Sequence, residues 1–162
     1  MKKSVGAVIV AFALAVMLIV MGINTVSLNT SGSSSDAGKF FKGVGNRISS
    51  QFSGNEVANS IYYLTKDNRT MGDILVWIVG ILEIAAGAMV FVCFFLPMKG
   101  VKNILMWIVF ALWCVVLVLV DVTGNNGICG NAFKDGSHVL SWLASLSSHV
   151  LILGAILVAK DN

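Results

Sequence analysis

Proline, charge and cysteine are all scarce in this chain, and each shortage removes a class of protein. Pro97 is the single proline, so almost nothing interrupts a helix on either side of it. Only 12% of the 162 residues are charged, whereas a soluble domain carries about a quarter. The net charge of +3 includes no dense basic patch, so no nucleic-acid partner is expected. Two histidines and three cysteines fall at no zinc-ligand spacing, and there is no P-loop or glycine-rich dinucleotide fingerprint. No metal and no cofactor is expected. Cys93 and Cys114 lie inside apolar runs, where a thiol acts as a small hydrophobe. Cys129 alone falls in a polar segment and is either a free thiol or an intermolecular bridge.

What is abundant is apolar. Hydrophobic residues make up 57% of the chain, and the mean hydropathy is +0.87. A bilayer crossing needs about 20 apolar residues, and four runs meet or approach that length: 5–23, 74–96, 104–120 and 139–159. The third is the shortest, and Asn103 and Asp121 can extend it by reaching to the interface. The first is longer than the roughly 7–15 residues of a signal-peptide core, so it is read as a retained anchor. The expected fold is all-α: a single membrane domain over 1–162, a four-transmembrane-helix bundle with a short helical extracytoplasmic insertion between the first and second spans.

Lysine and arginine in short loops set orientation. With the N-terminus inside, the inner segments hold Lys2, Lys3, Lys99, Lys102 and Lys160 against Asp161 alone. The outer segments balance Lys39, Lys42, Arg47, Lys66, Arg69 and Lys134 against Asp36, Glu56, Asp67, Asp73, Asp121 and Asp135. Both termini are therefore expected in the cytoplasm, in a layout that suits a bacterial inner membrane. The turn "PMKGVKN" makes the second and third spans an antiparallel hairpin.

The outer loop, 24–73, opens with a polar stretch of flexible composition. Phe40, Val44, Ile48 and Phe52 then recur every four residues, with Lys39, Lys42 and Arg47 around them, as on one helical face. Gly54 breaks the run, and Asn55 can cap a second short helix whose face carries Val57, Ala58, Ile61, Tyr62 and Leu64. A lid packed on the ends of the spans is favoured over a helix lying on the leaflet. "NRT" at Asn68 fits a glycosylation acceptor by pattern, which matters only in a eukaryotic secretory pathway.

Glu83 interrupts the second span. It lies ten residues beyond Asp73, which is about 15 Å at 1.5 Å per residue and half of a roughly 30 Å hydrocarbon core. His149 lies ten residues into the fourth span, so the two ionisable groups share a depth. Trp113 and Cys114 stand near that level. Gly80, Ala86 and Gly87 give the second span a small-residue face that admits a close helix contact. On the fourth span His138, Ser141, Ser145, Ser148 and His149 form a polar stripe from the outer surface to the middle, and "VLILGAILVA" below it is apolar. His138 and Ser141 are the outer track; Glu83, His149, Ser145 and Ser148 are the intramembrane site.

Three roles compete for that site: a structural Glu83–His149 hydrogen bond, a face that specifies assembly, and a water-lined half-pathway for a proton or cation. Burial of Glu83 would favour the neutral acid, able to donate to an imidazole. Catalysis is not expected: Ser148 beside His149 points away from it on a helix, and the two histidines are too far apart along the axis to share a metal. Trp77, Trp107 and Trp142 fit an aromatic belt near the span ends, while Trp113 is deep enough to pack between helices.

Claudin-like tetraspans share a long first outer loop, but their paired loop cysteines and tryptophan motif are absent. "MGINT" leaving the first span, Phe40 and Phe52 in the outer loop, and "WIVGILE" from Trp77 to Glu83 resemble an uncharacterised bacterial family of predicted small integral membrane proteins. The likeness covers about the first two thirds of the chain, and the tryptophan-rich segment expected between the last two spans reads instead "GNNGICGNAFKDGSH". The resemblance implies topology and no activity. The leading expectation is a non-catalytic membrane subunit that oligomerises or joins other membrane subunits in the lipid bilayer. The alternative is a small proton- or cation-coupled channel or carrier.

Overall fold

A computed structural model describes residues 5–29, 56–93, 95 and 99–161. Helix α1 is Val5–Asn29, α2 Glu56–Leu64, α3 Arg69–Cys93, α4 Lys99–Leu117 and α5 Gly136–Asp161. Among the described residues there is no strand. Four helices are long and apolar enough to cross a membrane: Val5–Ser27, Arg69–Cys93, Gly100–Val122 and Gly136–Asp161. The helix proposed around Phe40 to Phe52, the polar opening of the outer loop beyond 29, and Pro97 lie outside the described residues.

Three of the spans overrun the apolar runs that nucleate them, and side-chain hydrogen bonds explain why. α1 continues past Ile23 because Thr25 Oγ1 lies 3.0 Å from Met21 O and Ser27 Oγ donates to Asn24 O at 2.7 Å. Hydroxyls folded back on the preceding turn keep a polar helix end intact. α3 starts at Arg69, not Ile74, because the Asn68 side chain accepts from Met71 N at 3.1 Å. At α5 Asp135 plays the same part, accepting from His138 N at 2.9 Å and Ser137 Oγ at 2.6 Å. These bonds, the Ser137 one foremost, hold the exposed Asp135 carboxyl well below the usual carboxylate range.

α1 packs on α3 and α5, and α4 packs on α3 and α5. The four spans therefore form an up-down ring in the order α1, α3, α4, α5. Neighbours are antiparallel, and α3 and α5 run in the same direction across a diagonal. The most extensive contact is α1 with α3, and glycine makes it possible. A Cβ on Gly22 would sit 2.6 Å from Gly80 O and 2.8 Å from Ile84 N; one on Gly87 would sit 2.8 Å from Ala15 O. Gly80 and Gly87 thus bring the α3 backbone against α1, while Ala86, also buried, sits toward α4. Gly22→Ala should cost about 1–2 kcal/mol, because backbone must move to admit the methyl. Gly154→Ala, with nothing within 4 Å of its Cβ, should be neutral or stabilising. Unfolding in a sodium dodecyl sulfate titration of both variants checks the contrast.

α2 lies across one end of the ring, against α3, α1 and the end of α4. It buries Val57, Ala58, Ser60 and Ile61, and Leu64, assigned to that face from the sequence, is 49% exposed instead. For this second helix of the expected hairpin, the packing is that of a lid. α4 ends in a π-helical turn, Val118–Val122, with Thr123 N donating to Val118 O at 3.0 Å. The chain from Thr123 to Asp135 then folds back on itself, with Ile128 N on Asp121 O and Cys129 N on Val122 O.

Candidate intramembrane polar site

Side chains on a helix lean toward its N-terminus. On antiparallel neighbours they lean in opposite directions along the axis, and on parallel helices they lean the same way. Glu83 on α3 and His149 on α5 therefore both lean toward the lid end and stand on diagonally opposed helices. They do not form the bond expected from their equal depth. Each pairs with an antiparallel neighbour instead.

Glu83 pairs with α1. Thr25 Oγ1 lies 2.7 Å from Glu83 Oε2, and Glu83 is 4% exposed. His149 pairs with α4. Its Nδ1 lies 2.5 Å from Asp121 Oδ2, and the two residues are 3% and 1% exposed. Trp113 supports the imidazole: its Nε1 donates to His149 O at 3.1 Å, and the two rings meet edge to face at 5.7 Å.

Asp121 was expected at the interface and is instead among the most buried residues of the fold. The π-turn accounts for this. The buried face of α4 runs through Met106, Val109, Trp113, Val116 and Val120, and the wider turn brings the next residue onto that face too. The Asp121 carbonyl, freed from regular pairing, accepts from Trp142 Nε1 at 3.0 Å and Ile128 N at 3.0 Å.

Above Asp121 the contacts continue outward. Ser145 Oγ lies 2.9 Å from Asp121 Oδ1 and 3.1 Å from Glu56 Oε2 of the lid. A hydroxyl has one proton to donate and two lone pairs to accept with. Its single proton is therefore shared between the two carboxylates, serving one at a time. These groups form the floor of a polar cleft of about 520 Å³ between α2, the 123–126 turn and the lid end of α5; Tyr62, Tyr63, Asn125 and Ser141 are among its walls. A hydrogen-bonded series thus runs from the cleft through Glu56, Ser145 and Asp121 to His149.

The remaining residues singled out from the sequence fall elsewhere. Ser148 is exposed on α5 and bonds back to Ala144 O at 2.9 Å, so it is not part of either pair. His138 sits at the start of α5 with Nδ1 2.8 Å from Asp135 Oδ1. Trp107 lies exposed near the far end, with Lys160 Nζ 5.1 Å from its ring centroid; Trp142 stacks on Phe133 at 5.5 Å. Among the described residues no three His, Cys, Asp or Glu side chains converge as a metal site. Cys129 is exposed and forms no disulfide within the chain.

Thr25, Asp121 and Glu56 are the functional-site residues that sequence reasoning missed. All three lie at helix ends, where an apolar run stops and polarity reads as solvent. "MGINT" carried a usable signal, since a threonine two residues beyond a span's last apolar residue can still face inward.

Tyr62 ties the lid to α3 by donating to Asp73 Oδ1 at 2.8 Å, with Arg69 4.8 Å above its ring. Burial first, and then that hydrogen bond, push its hydroxyl up to about 12. An unfolded tyrosine ionises near 10. The folded state therefore keeps its proton longer, and the stability Tyr62 contributes is complete below about pH 10 and lost as pH rises to about 12. Tyr62→Phe should melt below wild type at pH 8, with the gap closing between pH 10 and 12.

Comparisons with family models, curated proteins and solved structures return no match. The site is therefore interpreted from its own chemistry.

Proposed function

We propose that this chain is a non-catalytic integral membrane subunit that assembles with further copies of itself or with other membrane subunits. One observation carries this reading. The bundle satisfies its buried histidine and aspartate internally, yet α5 leaves a face of small and polar residues uncovered. Ser137, Ser141, Ala144 and Ser148 are all exposed on it, at helical spacings of four, three and four. Small residues and hydroxyls of this kind favour close helix contacts in lipid. The test is the mass of the protein–detergent particle by light scattering in a mild detergent. Wild type should exceed one copy or retain a co-purifying membrane protein, and Ala144→Trp should reduce it to a single copy with the fold intact. A single copy for wild type after extraction and after cross-linking in the membrane would overturn the reading.

The cleft and its hydrogen-bonded series favour a second reading, a proton- or cation-coupled function. Intramembrane ionisable groups are costly, and function is their default explanation. Against conduction by one copy, α5 is apolar from Val150 to Ala159, so the series has no continuation along that helix. Normal proton-dependent flux in liposomes of Glu83→Gln and of Asp121→Asn would sink this second reading.

We place the protein in a bacterial cytoplasmic membrane with both termini inside, on the strength of the lysine distribution. The exposed thiol of Cys129 provides the check. A membrane-impermeant maleimide should label it in intact spheroplasts.

A further inference from the structure

Between α3 and α4, at mid-height of the spans, a narrow crevice of about 50 Å³ opens toward the side of the bundle. Leu82 and Val115 flank its mouth, 41% and 64% exposed. Its walls include Ala86, Leu112, Trp113 and Val116, and Glu83 and Leu18, both almost fully buried, close its inner end. All of these walls are apolar except one group. Glu83 Oε1 is buried and has no hydrogen-bond partner among the described residues.

The hydroxyl of Thr25 decides what Oε1 is. Thr25 Oγ1 lies within reach of both Glu83 Oε2 and Met21 O, and it has one proton. With Glu83 neutral, Oε2–H donates to Thr25, which donates onward to Met21 O, and Oε1 is left as a carbonyl-type acceptor. With Glu83 ionised, Oε1 would be a bare anionic oxygen facing hydrocarbon, a far more costly arrangement. The neutral acid is the form these contacts complete.

An unpartnered carbonyl oxygen on the residue that closes the inner end of an apolar slot calls for a neutral hydrogen-bond donor on an apolar body. A water needs roughly 10–15 Å³ of such space, so the crevice has room for the terminal group of a chain and not for a bulky head. A cation would find no second acceptor on the walls. We propose that Glu83 and this crevice form a lateral site that takes the hydroxyl end of an apolar alcohol from the lipid phase. The site lies within one chain and does not depend on the assembly or the transport reading.

The experiment is photolabelling of the protein in liposomes with a diazirine-bearing octanol. Label should fall on the peptides carrying Leu82 and Val115. Octanol should displace it, and octane should need about tenfold more, the weight of one hydrogen bond. Glu83→Gln keeps a carbonyl oxygen in place and should bind as wild type, while Glu83→Leu should lose displacement by octanol. Should Glu83→Leu fail to fold, Val115→Trp narrows the mouth from the lipid side and should abolish labelling alone. Equal displacement by octane and octanol would overturn the proposal. So would stronger displacement by octylamine together with its loss in Glu83→Gln, which would mark an ionised carboxylate. Particle mass and proton flux would be unmoved by either result.

Discussion

Asp121→Ala is expected to destabilise the bundle by about 3 kcal/mol, at the lower edge of the range for breaking a buried ion pair. One carboxylate holds His149 Nδ1 and Ser145 Oγ, and through Ser145 it connects the floor of the bundle to Glu56 of the lid. Alanine strands all of these at once. Ordinary hydrogen bonds in membranes average about 0.6 kcal/mol, so a loss near 3 kcal/mol would set this pair apart from simple glue. The double variant Asp121→Ala/His149→Leu should recover at least half of the loss, since an apolar replacement leaves no orphaned ring nitrogen. A double-mutant cycle in a sodium dodecyl sulfate titration measures both. A double variant no better than the single one would mean that Asp121 acts through Ser145 and the lid.

Trp113→Ala is expected to cost about 2–3 kcal/mol, from a cavity on the order of 100 Å³ at about 24 cal/mol per Å³. The transfer part of the usual large-to-small penalty is absent here. An unfolded span still keeps its tryptophan in lipid, so lost packing supplies nearly all of the effect. Trp113 is 2% exposed, and it lies between the crevice at Glu83 and the His149 ring. Its removal should therefore loosen both polar pairs. Trp113→Phe should restore most of the packing but leave His149 O without its indole donor. The same titration distinguishes the two, and a Phe variant as unstable as Ala would assign the effect to that hydrogen bond.

Much of the fold was legible because it rests on hydropathy and helical spacing. Four apolar runs gave the four spans, the pattern from Val57 to Ile61 gave the lid helix, and the depth of Trp113 gave its position between helices. Gly80 and Gly87 were readable as a contact face because only glycine lets backbones approach so closely. The partners of Glu83 and His149 were not readable from depth alone. Depth gives the height of a Cα along the bundle, and pairing also depends on which helices are neighbours and which way their side chains lean. Thr25 and Asp121 shared a further obstacle. Each sits where an apolar run ends, and hydropathy assigns such a position to water whether or not the next turn faces inward.

The π-turn at Val118–Val122 has a genetic consequence. It behaves as one residue more than a straight helix needs, and that residue places Asp121 on the bundle axis. A single-codon deletion inside this turn would leave the hydropathy profile of the span unchanged. The shortened chain would still be threaded into the bilayer with four crossings in the same order. Its carboxylate would rotate away from His149, and the Trp142 and Ile128 contacts to the freed carbonyl would go with it. Insertion and assembly of the interior would then part company: a polypeptide with correct topology that keeps the Thr25–Glu83 contact and loses the Asp121–His149 one.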